Sequence, residues 1–246
     1  MSELSQLLAQ AWQRHATAAI PPALEPADAD AAFAAQIQLL DGIGDHAGGW
    51  KLGGKPGAPI QGAPLPARGI HGNGAVLQCS DFPVLGLELE IAFSFGRAFD
   101  AADAALTDSE IMAAVQTMRT SVEIVSSRIA GWPQVPPLTQ LADLQNHGAL
   151  VVGAAIAYAE DFPFTSPALR FSAGGKTLFE GQGSNPAGDP RRLLPWVVRH
   201  CIAKRLPLPA GSILTTGTYV GAHFSVGPSL VRGEIDGLPP LEFTLA

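Results

Sequence analysis

The chain has 246 residues, a formal net charge of −7, 47% hydrophobic and 15% charged residues, the balance of a folded protein with room for one large domain or a small one beside a larger. Acidic charge without a basic run argues against nucleic acid as a partner, and no stretch reaches the ~18–20 consecutive apolar residues of a membrane span. Two cysteines without metal-ligand spacing, Cys79 and Cys201, and a first segment lacking a signal-peptide pattern predict a cytoplasmic setting.

Ser2 to Ala18 read as an amphipathic helix, with Leu4, Leu7, Leu8, Ala11 and Trp12 on one face, Ser2 as cap and Pro21-Pro22 as terminator. A second helix opens at Asp28 or Asp30 and closes near Gly42 or Gly44. Residues 1–48 are therefore expected to form a small helical lobe ahead of a β-rich domain over 49–246. Trp50-Lys51-Leu52 is a short strand before a glycine loop, Gly53 to Gly57. Ala58 to Gly74 is rich in Pro and Gly and lacks periodicity. Such a segment, longer than ~12–15 residues, predicts a mobile lid or rim. Ala75 to Cys79 reads as a strand.

Gly86 to Gly96 alternates with period two. Leu87, Leu89, Ile91, Phe93 and Phe95 share one face; Glu88, Glu90, Ala92 and Ser94 share the other. Thr107 to Glu110 has capping-box spacing before a short helix. Val115 to Ser126 contains a further strand carrying Glu123, and Leu138, Leu141 and Leu144 mark a short helix. Gly148 to Ala157 is an apolar run of strand length. Gly174-Gly175 turns a hairpin within Leu169 to Glu180. Asp189-Pro190 starts a helix over Arg191 to Lys204, ended by Pro207 and Pro209. Strands over 212–216, 229–235 and 241–245 complete a β-rich second half.

Glu88 and Glu90 point the same way, roughly 6–7 Å apart along their strand, with no cation between them in sequence. Two such carboxylates suit a divalent cation, and Glu123 on a neighbouring strand is the natural third ligand. Three carboxylates predict Mg²⁺ or Mn²⁺ rather than structural zinc. Lys51, at a strand end before a glycine loop, suits holding a substrate carboxylate or moving a proton. His71, in a glycine-rich segment, is a candidate acid/base. Thr215-Thr216-Gly217-Thr218 offers hydroxyls and a flexible backbone at a strand end, with Gly217 and Thr218 as candidate substrate-binding residues. Cys201 reads as a buried small hydrophobe rather than a nucleophile. No G-x-S-x-G, G-x-x-x-x-G-K or strand-linked G-x-G-x-x-G occurs.

Several stretches in this order resemble the 2-keto-4-pentenoate hydratase and 4-oxalocrotonate decarboxylase group of the fumarylacetoacetate hydrolase superfamily. They are Gly49-Trp50-Lys51-Leu52-Gly53, Glu88 to Phe93, Val122 to Ile129, Asn146 to Gly153, Gly183 to Pro186, Pro209 to Gly217, and Ile235 to Leu238. The resemblance implies an α+β fold, a mixed β roll or barrel with a small helical N-terminal lobe, assembled as homo-oligomers. It puts the family's metal ligands on Glu88, Glu90 and Glu123, its Mg²⁺ or Mn²⁺ among them, and its lysine on Lys51. It implies a hydratase turning a 2-hydroxy-2,4-dienoate, a small 2-oxo acid in its keto form, into a 4-hydroxy-2-oxo acid in aromatic-compound catabolism. A decarboxylase of a 4-oxalocrotonate-like acid, an acylpyruvate hydrolase and a non-catalytic assembly partner are the alternatives. The chain departs from the group at Gly54-Lys55-Pro56 in place of Leu-Thr-Ser. It also carries His71 and Asn73 where the group has an acidic residue, and Ser126 where it has Asp.

Overall fold

The computed structural model describes residues 1–224 and 227–246. Ser2 caps α1 (Glu3–Gln13), its hydroxyl accepting the Ser5 amide at 3.2 Å. The helix is shorter than expected: His15 turns left-handed at φ 51° and breaks it before the prolines. Asp28 caps α2 (Ala29–Gly42), which ends near the expected glycines. Leu4, Leu8, Ala32, Ala35 and Leu39 close a core that also takes Leu141 and Ala142 from α4 (Pro137–Ala142). The first 48 residues thus share their core with a helix from mid-chain. Thr107 and Glu110 make the capping box of α3 (Asp108–Met112), and α5 spans Leu194–Lys204.

The strands are β1 (Ala47–Gly53), β2 (Gln61–Pro66), β3 (Ile70–Gly72), β4 (Val76–Leu77), β5 (Gly86–Phe95), β6 (Val115–Val125) and β7 (His147–Val152). They continue as β8 (Ile156–Ala157), β9 (Ala168–Ala173), β10 (Lys176–Gln182), β11 (Ile213–Thr215), β12 (His223–Phe224), β13 (Ser229–Ile235) and β14 (Leu241–Leu245). Among the described residues one sheet runs β2-β1-β11-β5-β6-β7-β3, with β12 on β5 and β8 on β6; the other runs β10-β9-β13-β14-β4. Neither path returns to its start, so the mixed α+β fold is an open roll and not the closed barrel considered above.

The apolar face of β5, Leu87 to Phe95, joins Val122 and Ile124 of β6 and meets Phe171, Val231 and Phe243 of the second sheet. Each of these side chains, fully buried, contributes on the order of 1.5–3 kcal/mol. That packing fixes the parity of β5 and turns Glu88 and Glu90 to the opposite face.

The segment 58–74 is not a lid. Gln61–Pro66 pairs antiparallel with β1, and Ile70–Gly72 pairs parallel with β7. Pro64 and Pro66 are accommodated because β2 is an edge strand, where a missing N–H breaks no ladder.

Candidate active site

Glu88 lies in register with Glu123 across β5 and β6, and Glu90 with Ser121. Register partners share a face, so the three carboxylates converge, each with an oxygen within 4.8 Å of the others. Glu90 and Glu123 are buried and Glu88 is partly so.

The cation missing from the local sequence arrives from another strand. Gly49 of β1 lies opposite Ile213 of β11, and a Cβ there would sit 2.1 Å from the Ile213 carbonyl oxygen. Only glycine lets the two strands approach so closely. Lys51, two residues on, then reaches across: its Nζ donates to Glu123 Oε1 at 2.5 Å and to the Gln145 carbonyl at 3.1 Å.

His147 was not among the expected site residues. On a regular strand it would share the core face with Ala149. A register shift pairs Ile124 with Ala149 but Val125 with His147, so Gly148 is the extra residue of a bulge. The bulge turns His147 to the carboxylate side, where Nδ1 donates to Glu123 Oε1 at 2.9 Å. Leu144, Gln145 and Asn146 before it all adopt left-handed backbone, with φ of 50°, 51° and 60°. Such a run costs roughly 1–2 kcal/mol per residue and is held by a buried network. Asp143 accepts from the Ser127 hydroxyl at 3.0 Å and from Arg128 Nε at 2.6 Å, and the Arg128 guanidinium also donates to the His147 carbonyl. No apolar periodicity signals such a loop; the alternation around Glu123 offers no hint of it.

The charges divide unequally. Burial alone would raise Glu123, but Lys51 and His147 outweigh it and hold its carboxyl below the ordinary range. Burial likewise opposes the Lys51 ammonium, and the charges of Glu123 and Glu88 overcome it, raising its pKa. Burial and then the Glu123 charge push Glu88 up to about 7, and push Glu90 well above its ordinary value despite the Gly217 amide at 3.1 Å. Burial pushes His147 down, against the opposing pull of Glu123.

The three carboxylates and Lys51 line a cavity of about 230 Å³, rimmed by Gly53, Gly54, Gln145, Asn185 to Ala187 and Thr215 to Thr218. Gly217 spends its amide on Glu90, and the Thr218 hydroxyl donates to the Gly221 carbonyl. Asn185 ties the rim by donating to the Thr216 and Gly217 carbonyls at 3.0 and 2.9 Å. Two buried oxygens on the lining residues, Glu123 Oε2 and Thr215 Oγ1, have no partner. An anionic oxygen left unpaired among two further carboxylates fits a hard divalent cation.

His71 is not in this cavity. It is in register with Val151, whose β6 partner is Val122, on the face opposite the carboxylates. It lines a separate cavity of about 240 Å³ with Trp12, Leu77, Phe82 and Arg128. The acid/base role expected of it does not fit that position. Cys201 is buried on α5, which pushes its thiol up to about 12.

Three strand-borne carboxylates face a cavity beside a lysine on an open roll, a group that could hold a divalent cation. A family model described as Fumarylacetoacetate (FAA) hydrolase C-terminal matches residues 59–246, and the chain belongs to that family. Its sequence is 27% identical over 146 residues to 2-keto-4-pentenoate hydratase 1 of Dechloromonas aromatica, covering 59% of this chain and 54% of the relative. It is 27% identical over 131 residues to 2-hydroxyhexa-2,4-dienoate hydratase of Comamonas testosteroni, covering 53% of this chain and 48% of the relative. The match thus spans about half the length of these curated relatives. The fold matches 4-oxalocrotonate decarboxylase from Pseudomonas putida, crystallised with magnesium and adipate, at TM-score 0.84 and 16% identity, covering 99% of this chain and 96% of that one. It matches 2-hydroxyhepta-2,4-diene-1,7-dioate isomerase from Mycobacterium marinum at TM-score 0.56 and 16% identity, covering 81% and 74%. Among the described residues no helix is long and apolar enough to cross a membrane.

Proposed function

We propose that the chain is a metal-dependent hydratase that converts a 2-hydroxy-2,4-dienoate into a 4-hydroxy-2-oxo acid, within aromatic-compound catabolism. The relatives named as hydratases support the reaction class. The observation that carries the reading is the carboxylate trio facing a cavity in which, among the described lining residues, Lys51 is the one cationic side chain. A single cation, already paired with Glu123, suits a substrate with one carboxylate better than the dicarboxylate a 4-oxalocrotonate decarboxylase takes.

Glu88, Glu90 and Glu123 would hold Mg²⁺ or Mn²⁺. When bound, the cation supplies Lewis-acid charge at the substrate's carboxylate and C2 oxygen. Lys51 uses two of its three N–H donors on Glu123 and Gln145, leaving one for a substrate carboxylate oxygen. Ketonisation moves a proton from the C2 hydroxyl to C5; water then adds its hydroxyl to C4 and its proton to C3. Thr215 Oγ1, buried without a partner on a residue that lines this cavity, would orient a substrate oxygen. Asn185 and Gly217 keep the rim and Glu90 in place.

Product analysis tests the reading. Incubation with 2-hydroxypenta-2,4-dienoate and Mg²⁺ or Mn²⁺ is expected to give the 4-hydroxy-2-oxo acid. Release of carbon dioxide from 4-oxalocrotonate, or cleavage of an acylpyruvate into two acids, with no hydration of the dienoate, overturns it. Homo-oligomeric assembly and a cytoplasmic setting belong to the same proposal.

A further inference from the structure

We infer that His147 is a positioning residue that commits one oxygen of Glu123 and thereby leaves the other for a cation. The inference rests on the metal site proposed above. Glu123 Oε1 accepts from Lys51 Nζ at 2.5 Å and from His147 Nδ1 at 2.9 Å, while Oε2 is buried and accepts nothing. A carboxylate oxygen only accepts, so Nδ1 carries a proton. The other ring nitrogen, Nε2, is buried without a partner. The ring therefore directs an N–H at Glu123 and gains no hydrogen bond on its other side.

The main chain is built to the same end. The left-handed run at 144–146 precedes the histidine, the Gly148 bulge follows it, and the Arg128 guanidinium holds its carbonyl. The Asn146 carbonyl accepts from the Ser126 amide at 2.8 Å, tying the loop to the end of the strand that bears Glu123. Filling a core position needs neither this backbone nor an N–H aimed at a carboxylate. With both donors on Oε1, the carboxylate cannot rotate to offer that oxygen, and Glu123 meets a cation through Oε2.

Two substitutions separate the donor from the bulk. In His147→Asn the side-chain amide nitrogen stands near the place of Nδ1; in His147→Leu the space is filled and nothing donates. Mn²⁺ affinity is read by electron paramagnetic resonance, and the wild-type ring tautomer by nitrogen NMR on metal-free protein. The expected result is a ring protonated on Nδ1, Mn²⁺ binding about 10–100-fold weaker in His147→Leu, and recovery to within about threefold of wild type in His147→Asn, the range seen when a ligand loses its supporting hydrogen bond. A ring protonated on Nε2 and not on Nδ1 overturns the inference. So does Mn²⁺ binding by His147→Leu as tight as wild type, or equal weakness in both variants; the metal site then stands without His147. Absence of Mn²⁺ binding by the wild type sinks the metal site and this inference together. If His147→Leu does not fold, the wild-type tautomer and the Asn variant decide.

Discussion

Lys51 and Glu90 stand at opposite ends of the site's charge balance. Lys51 neutralises Glu123 in a buried pair, so Lys51→Met is expected to lower metal-free stability by about 3–5 kcal/mol, the cost of stranding one buried charge. Denaturant titration checks it. Glu90 instead adds to the repulsion. Glu90→Gln keeps an oxygen for the Gly217 amide, so metal-free stability is expected to hold or rise, while turnover falls at least about 100-fold with the loss of several kcal/mol of charge stabilisation. Glu88 gives the pH dependence. Its folded pKa of about 7 lies above the ordinary 4.5, so its proton stabilises the metal-free fold fully below pH 4.5. That contribution is lost as pH rises through about 7. Melting curves from pH 5 to 8 should show wild type losing stability relative to Glu88→Gln. Added Mn²⁺ should raise the wild-type melting temperature more at pH 8 than at pH 6, because binding displaces protons.

At the scale of elements, the close approach of β1 and β11 decides whether Lys51 arrives. Gly49→Ala forces a Cβ against the Ile213 carbonyl and is expected to cost more than about 1–3 kcal/mol. Gly53→Ala on the same strand meets nothing within 4 Å and is expected to stay within about 0.5 kcal/mol of wild type. Chemical denaturation of both variants tests this. The strand bearing Glu88 and Glu90 was legible because period-two alternation fixes a face without any partner. The Gly174-Gly175 turn and the caps at Ser2, Asp28 and Thr107 were legible because each is a local bond. His71 was misread because its face depends on strand order, which passes from β3 through β7 to β6. His147 was missed because one bulged glycine reverses a parity that the sequence counts as regular. The proline-rich segment was misread because prolines that exclude a central strand are tolerated on an edge.

Across the whole molecule, two cores meet at the site. The large core between the sheets sets the carboxylate face, and the helical core, with α4, carries the loop that delivers His147. The carboxylate face was readable from residues near one another in sequence. The loop was not, because the residues that hold it, Arg128 and Asp143, come together only through the fold. Light scattering on the purified protein tests the proposed homo-oligomer; a monomer across the micromolar range contradicts it. The most direct measurement of the site is a crystal soaked with Mn²⁺ and oxalate, a mimic of the 2-oxo acid end. The expected result is a single anomalous peak in contact with Glu88, Glu90 and Glu123, with oxalate on the cavity side beside Lys51. An anomalous map with no peak among these three carboxylates, or with the ion held elsewhere, would contradict it.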